Sequence, residues 1–446
     1  MNGESSHRRL LARFAGRAGY ALGLRVLWAL ISFGGAALLA RWFSAEDFGH
    51  YGSVISLITF LSVVCGLGAP NALIRLLAEF GGDHPEGEKA ALAHGAIRAT
   101  HAAVLAVSTG VALLIAAGAI GLHLAHRLPE WLVYVAGAAL LPAFTVTDVQ
   151  AAAARSYGRV FAALAPKDIL WRLLIIPLAW WAATSLPQTM QLIVFLALAA
   201  VSLTAFAIAQ AWALRRAAPK AVWAATPVYR LHELRRISTS TWITQVASSG
   251  FRTLDVVIAG LFLPPHQVGL YFAATRVAGL ISFVLISTNL ILGPEVAKLH
   301  HSGSHAQLTR TLKLASLIVF LPSFVGFLGC VTFPDQILGL FGKRYAGAHV
   351  ELIILAIGQM MNAATGCVGV VLMMTGLERK NAEILVTTSI ATIAVMAGLT
   401  YAFGSVGTAI AASGGLTATT VRLWLVARRH TAYDPSILGL FRRSGA

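Results

Sequence analysis

Long apolar runs separated by short polar corners cover almost the whole chain, beginning near residues 19, 51, 100, 131, 160, 190, 238, 268, 311, 348, 383 and 405. Each approaches the roughly 20 residues of helix needed to span an apolar layer of about 30 Å. None alternates as a barrel strand does, and in lipid only helices or closed barrels satisfy the backbone. The pattern therefore predicts an all-α integral membrane protein of about twelve spanning helices.

The corners repeat. "FSAEDFGHYG" (residues 43–52) and "LPPHQVGLYF" (263–272) each join two apolar runs, and Gly49 and Tyr51 recur as Gly269 and Tyr271 at an offset of 220. Arg159 and Ala162 recur as Arg379 and Ala382 at the same offset, while Pro70 and Pro294 differ by 224, about one helical turn more. Between the halves lies a basic linker, "RRAAPKAVWAATPVYRLHELRR" (215–236). This predicts a six-helix lobe over 1–213, a cytoplasmic linker over 214–237 and a second six-helix lobe over 238–446. An even helix count makes the repeats parallel, related by a pseudo-twofold axis along the membrane normal. Glu46 and Asp47 are expected to cap the second helix, where negative charge suits the helix dipole.

Composition agrees: 57% of residues are apolar, 12% are charged and the mean hydropathy is +0.74. The net charge of +16 raises the question of nucleic acid, but its distribution answers it. With the N-terminus in the cytoplasm, 23 of the 34 Lys and Arg fall in cytoplasmic segments, against Arg41, Arg127, Lys343 and Arg344 on the other side. The positive-inside rule then puts both termini in the cytoplasm of a multi-pass cytoplasmic-membrane protein, and the basic character suits anionic lipid. Cys65, Cys330 and Cys367 each stand alone in an apolar run, which points to neither disulfide nor metal site. "SHRRLLARF" reads as a basic tail, not a twin-arginine signal, because Arg25 interrupts the run that follows. "HHSGSH" (300–305) reads as a solvated loop, and "GLFGKR" (339–344) lacks P-loop spacing. No cofactor, nucleic acid partner or enzymatic activity is expected.

Three stretches resemble a known family: residues 43–80, from "FSAEDFGHYGSVISL" to "LIRLLAEF"; 254–281, "LDVVIAGLFLPPHQVGLYFAATRVAGLI"; and 341–358, "FGKRYAGAHVELIILAIG". They resemble the polysaccharide-transport flippases of the multidrug/oligosaccharidyl-lipid/polysaccharide exporter superfamily. The resemblance implies two lobes around a cleft that moves polyprenyl-pyrophosphate-linked sugars across the cytoplasmic membrane. The implied partners are the lipid-linked oligosaccharide, membrane lipids and glycan polymerase or chain-length machinery. It also implies a basic residue directly after the acid of the seventh helix. Val256 stands there instead, with Arg252 one turn before Asp255 as the substitute.

Charges inside the spans are functional candidates because each costs insertion energy, about 2.5–3.5 kcal/mol for a central Arg. They are Arg25, Arg75, Asp148, Lys167, Asp168, Arg172, Arg252, Asp255, Arg276 and Arg422. Arg75 and Arg422 lie near helix ends and suit snorkelling, Arg75 with Glu79 one turn on. Asp168 and Arg172 are spaced to neutralise one another beside Pro166. Arg25, Arg252, Asp255, Arg276 and Arg172 form the predicted substrate cavity, where a guanidinium fork suits pyrophosphate. The leading reading is a flippase working by alternating access. The alternatives are a cation-coupled small-molecule or drug exporter and a membrane-embedded polysaccharide polymerase or ligase.

Overall fold

The computed structural model describes residues 23, 26–81, 85–431 and 433–440, and no strand occurs among them. Grouped across their breaks, the helices form twelve rods. The first six are α1 Val26–Trp42, α2 Ala45–Cys65 continued as Ala69–Glu79, α3 Gly87–Leu124, α4 Trp131–Ser156, α5 from Val160–Leu164 through Arg172–Ser185, and α6 Gln188–Ala217. Then come α7 Leu231–Phe262, α8 Pro265–Ile281 bent by 48° into a helix that runs to His301, α9 His305–Thr332, α10 Lys343–Thr365 with Val368–Met374 beyond it, and finally α11 (378–403) and α12 (405–430).

The last two rods are continuous in hydrogen bonding but not in direction. Gly404 sits at φ 64°, ψ −143°, and the hydroxyls of Thr400 and Thr408 are 2.9 Å apart. In a straight helix eight residues separate by about 12 Å, so the chain reverses here, in a left-handed conformation that favours glycine. Among the described residues, seven helices are individually long and apolar enough to cross a membrane, or eight with bent α8 as one span. The others fall short for local reasons: α1 is short, a π-helical stretch (Ala165–Trp171) interrupts α5, and α7 is rich in Ser, Thr and charge. Large apolar side chains face outward along these rods, including Leu113, Leu114, Val201 and Val325, a surface suited to lipid and not to water.

Local chemistry sets the corner before α2. Ser44, not Glu46 or Asp47, is the cap: its Oγ accepts the Asp47 N–H at 3.0 Å and donates to the Asp47 carboxylate at 2.7 Å. Glu46 and Asp47 contribute charge to the first turn, where the helix dipole favours it. Farther along, α2 breaks at Leu67 and Gly68, both at positive φ, and Pro70 opens the next segment. Pro294 lies instead within an unbroken part of α8, twelve residues past the bend at Ser282. The two prolines thus mark different features.

The chain divides into two compact units. One comprises residues 35–273 and 389–408. Its apolar core lies beneath the second segment of α2 and the inner faces of α3 to α6, with Leu73, Leu77, Val104, Val149 and Leu214 buried. Helix α7 packs along α2 and belongs to this unit. Within it the two repeated corners meet reciprocally. A Cβ on Gly49 would lie 1.8 Å from the Pro265 carbonyl oxygen, and one on Gly269 would lie 2.4 Å from the Ala45 carbonyl oxygen. Pro265 stands 220 positions after Ala45, the same offset that relates the glycines, so each corner offers the other the same surface. Phe48 and Tyr51 stack beside this crossing, and Phe272 meets them tilted and edge-on.

The other unit comprises residues 1–34, 274–388 and 409–446. One cluster joins α8, α9 and α10 with Tyr433, and a second joins the end of α10 to α11 and α12 through Val368, Leu372, Ile384, Leu423 and Ala427. The segment after α12 folds back: Ser316 Oγ donates to the Pro435 carbonyl at 2.6 Å, and Trp424 Nε1 donates to Asp434 at 2.9 Å. His300 and His305 are not simply solvated, since both present Nδ1 to the Tyr433 hydroxyl, at 3.4 and 2.5 Å. Burial pushes the Tyr433 phenol above its ordinary range, so it stays protonated in this contact.

Candidate functional site

Charge buried in a span needs a partner or a task, so the site is built from the charged residues of the rods. Arg25 and the tail arginines lie outside the described residues. On α7, Arg252 is exposed while Asp255, one turn on, is buried. The helix starts at Leu231, ahead of its apolar run, so Arg252 lies about 15 Å from its far end at 1.5 Å per residue. Asp255 accepts a 3.0 Å hydrogen bond from the hydroxyl of Tyr271, which is fully buried. Tyr271 is the repeated tyrosine of the second corner. The sequence marks it as a repeat residue but not as the partner of the α7 acid, because the two are 16 positions apart on different helices.

A second group lies on α4 and α5. Lys167 forms an ion pair with Asp148, donates to the Phe144 carbonyl at 3.4 Å and sits 4.1 Å above the Phe144 ring. Its side chain is 11% exposed, so this pairing decides whether the ammonium is tolerated. Lys167 and Asp168 fall in the π-helical stretch, whose wider turn shifts the register that i,i+4 spacing assumes. Arg172 remains among the charges around Asp168, with Lys167, Asp148 and Arg155 also in range. Arg172 opens the next α-helical segment and is half-buried.

In the other unit, Arg276 on α8 is half-buried. Beyond it the Ser282 hydroxyl donates to Gln359 of α10 and accepts from Asn362 at 3.4 Å. Glu351 is buried on α10 as well. These polar residues were readable as interruptions of an apolar run. What the run does not give is the face they share. Arg75 and Glu79 are both exposed near the end of α2, as snorkelling requires, and exposed Arg422 donates to Thr387 at 3.3 Å. Among the described residues no group of three or more His, Cys, Asp and Glu is gathered to hold a metal ion.

Comparison with known proteins adds three findings. A family model described as "Polysaccharide biosynthesis protein" matches residues 17–300. A curated relative from Haloferax volcanii, the probable low-salt glycan biosynthesis flippase Agl15, is 25% identical over 183 residues, or 40% of this chain and 38% of that protein. The chain thus spans well under half the length of that relative in the match. Two solved structures share the fold: an inward-facing multidrug resistance MATE family transporter of the MOP superfamily and the lipid II flippase MurJ in an inward closed conformation. The first has a TM-score of 0.67 at 14% identity, covering 96% of this chain and 100% of its own. The second has a TM-score of 0.66 at 13% identity, covering 94% and 87%. At that identity the likeness establishes architecture, a transporter fold of about twelve helices.

Proposed function

The chain belongs to the polysaccharide biosynthesis protein family, and on that premise we propose that it is a flippase for polyprenyl-pyrophosphate-linked oligosaccharide or polysaccharide precursors. It works in the cytoplasmic membrane by alternating access, with the sugar-pyrophosphate in a cationic cleft and the lipid tail in the bilayer. The observation that carries the reading is the sign of the intramembrane charge: by sequence, seven basic residues (Arg25, Arg75, Lys167, Arg172, Arg252, Arg276, Arg422) against three acidic ones (Asp148, Asp168, Asp255), and, with Arg75 and Arg422 set aside at helix ends and buried Glu351 added, five against four. A multidrug resistance transporter has the same fold, so architecture does not separate the two readings, and the basic surplus favours an anionic cargo. A polymerase or ligase needs an extracytoplasmic loop to hold sugars. The longest such connection, near residues 333–347, is taken up by packing, with Leu338, Phe341 and Tyr345 buried.

The half-chain lobes, 1–213 and 238–446, belong to this reading, and the reciprocal meeting of the Gly49 and Gly269 corners supports them. Both termini are cytoplasmic in it. Reporter fusions after His126 and after Gly303 should then report opposite sides, the first extracytoplasmic. Fusions reporting one side would remove the topology and the parallel repeat with it.

Arg25 and Arg252 are assigned to pyrophosphate, and Asp255, held by Tyr271, fixes the helix face that presents Arg252. A charge-assisted hydrogen bond contributes about 1.5–3 kcal/mol, which corresponds to a loss of about tenfold or more when it is removed. Complementation of surface-glycan export should fail or fall sharply for Arg25→Ala and Arg252→Ala with membrane abundance unchanged. Arg→Lys should rescue in part, since it keeps the charge and loses the fork. Arg75→Ala should be much milder. Normal export by both cavity variants together with failure of Arg75→Ala would reverse this ranking.

A further inference from the structure

Between the predicted cytoplasmic ends of α11 and α12 lies a hollow of about 340 Å³, lined by Lys380, Glu383, Ile384, Arg422, Leu425, Val426 and Arg429. The helical repeat explains the set. Lys380, Glu383 and Ile384 share one face of α11, and Arg422, Leu425, Val426 and Arg429 share one face of α12 over two turns. Below it the helices close: the Thr388 and Thr419 hydroxyls are 2.9 Å apart, and Ile384 packs with Leu423 and Ala427.

The charges here are arranged and not merely present. Arg428, next in sequence, is turned away: its guanidinium lies 4.9 Å over the Trp424 ring and 3.7 Å from Asp434. His430 donates from Nδ1 to the Val426 carbonyl at 3.2 Å and accepts from the Lys380 ammonium at 2.6 Å, which holds Lys380 at the rim. That leaves Lys380, Arg422 and Arg429 around one acid, Glu383, and among the described residues no ion pair within 4 Å joins Glu383 to any of them. Arg422 and Arg429 are separated by about 10 Å along the axis, enough to reach across a headgroup layer of about 5–8 Å. Exposed Leu425 stands between them, so the basic column runs down an apolar wall.

We propose that this hollow binds the phosphate headgroup of an anionic membrane lipid, with the glycerol and upper acyl chain against Leu425 and Val426. It is separate from the cleft assigned to the cargo and does not depend on the flippase reading. Planar guanidinium groups at two depths suit a phosphodiester, and basic pockets between spanning helices on the cytoplasmic side are suited to such headgroups.

The test is native mass spectrometry of the full chain released from nanodiscs, with retained lipid counted. The expected result is retention of phosphatidylglycerol and not phosphatidylcholine. Arg422→Gln and Arg429→Gln should each weaken retention by about tenfold, and Glu383→Gln should strengthen it. Arg428→Gln, whose side chain faces elsewhere, should leave it unchanged. Competition by inorganic pyrophosphate separates the sources: poor competition supports the lipid, and full displacement would show a free-anion site and overturn the lipid assignment. Equal retention of both lipids, or of phosphatidylglycerol by all variants, would overturn the site itself.

Discussion

Gly49→Ala is expected to remove most folded protein from the membrane, and Gly269→Ala to do nearly the same. Each new Cβ would enter a carbonyl oxygen of the opposite corner, at 1.8 Å from Pro265 and 2.4 Å from Ala45, where real Cβ atoms are not found. Backbone cannot swing aside as a flexible side chain can, so α2 and α8 must separate. Separation unpacks Phe48, Tyr271 and Phe272, all at most 2% exposed. Overpacking with backbone displacement costs about 3 kcal/mol or more, a large part of a total stability of about 5–15 kcal/mol. Gly118→Ala is the control. Nothing lies within 4 Å of its added Cβ, and alanine is the better helix former, so its melting temperature should hold or rise. Thermal melts of purified protein with membrane abundance measure both. Wild-type melting by Gly49→Ala would contradict the crossing.

Asp148→Ala is the second large effect. It removes the ion-pair partner of the Lys167 ammonium, which is at 11% side-chain exposure. Asp148 itself is 40% exposed, so the cost is that of a charge-assisted contact, about 1.5–3 kcal/mol, and not that of a fully buried pair. Of the remaining neighbours of Lys167, the Phe144 ring and carbonyl carry no charge, and the Asp168 carboxylate is in electrostatic range without forming an ion pair within 4 Å. Abundance should fall. Asp148→Leu with Lys167→Met removes both charges and should recover it, since an apolar pair of similar volume avoids the desolvation cost. A double variant as depleted as the single one would mean that Asp148 acts through another partner.

How far the sequence could be read depended on the range of the interaction. Spans were legible because their signal is local: about 20 apolar residues suffice, and even the reversal at Gly404 showed as separate runs beginning near 383 and 405. The repeated Gly-x-Tyr corners were legible as a repeat, but not as two surfaces in contact, since an offset carries no distance. Pairing inside the site was mostly hidden. Asp255 with Tyr271 and Asp148 with Lys167 join separate helices, and Asp168 has Lys167, Asp148 and Arg155 in electrostatic range besides Arg172. The polar set of Ser282, Gln359 and Asn362 was missed for the same reason. Each residue is unremarkable in its own run, and only α8 packing near α10 brings them together.

Movement of an anionic, lipid-linked glycan is tested most directly by reconstitution. Purified protein in liposomes would be supplied with a polyprenyl-pyrophosphate oligosaccharide labelled in the sugar, and the fraction accessible to an external glycosidase followed over time. Accessibility should rise faster with wild-type protein than in empty liposomes, and Arg252→Ala should bring it close to the empty rate. An equal rate in wild-type and empty liposomes, accompanied by uptake of a cationic dye driven by an ion gradient, would contradict the flippase reading and support the exporter.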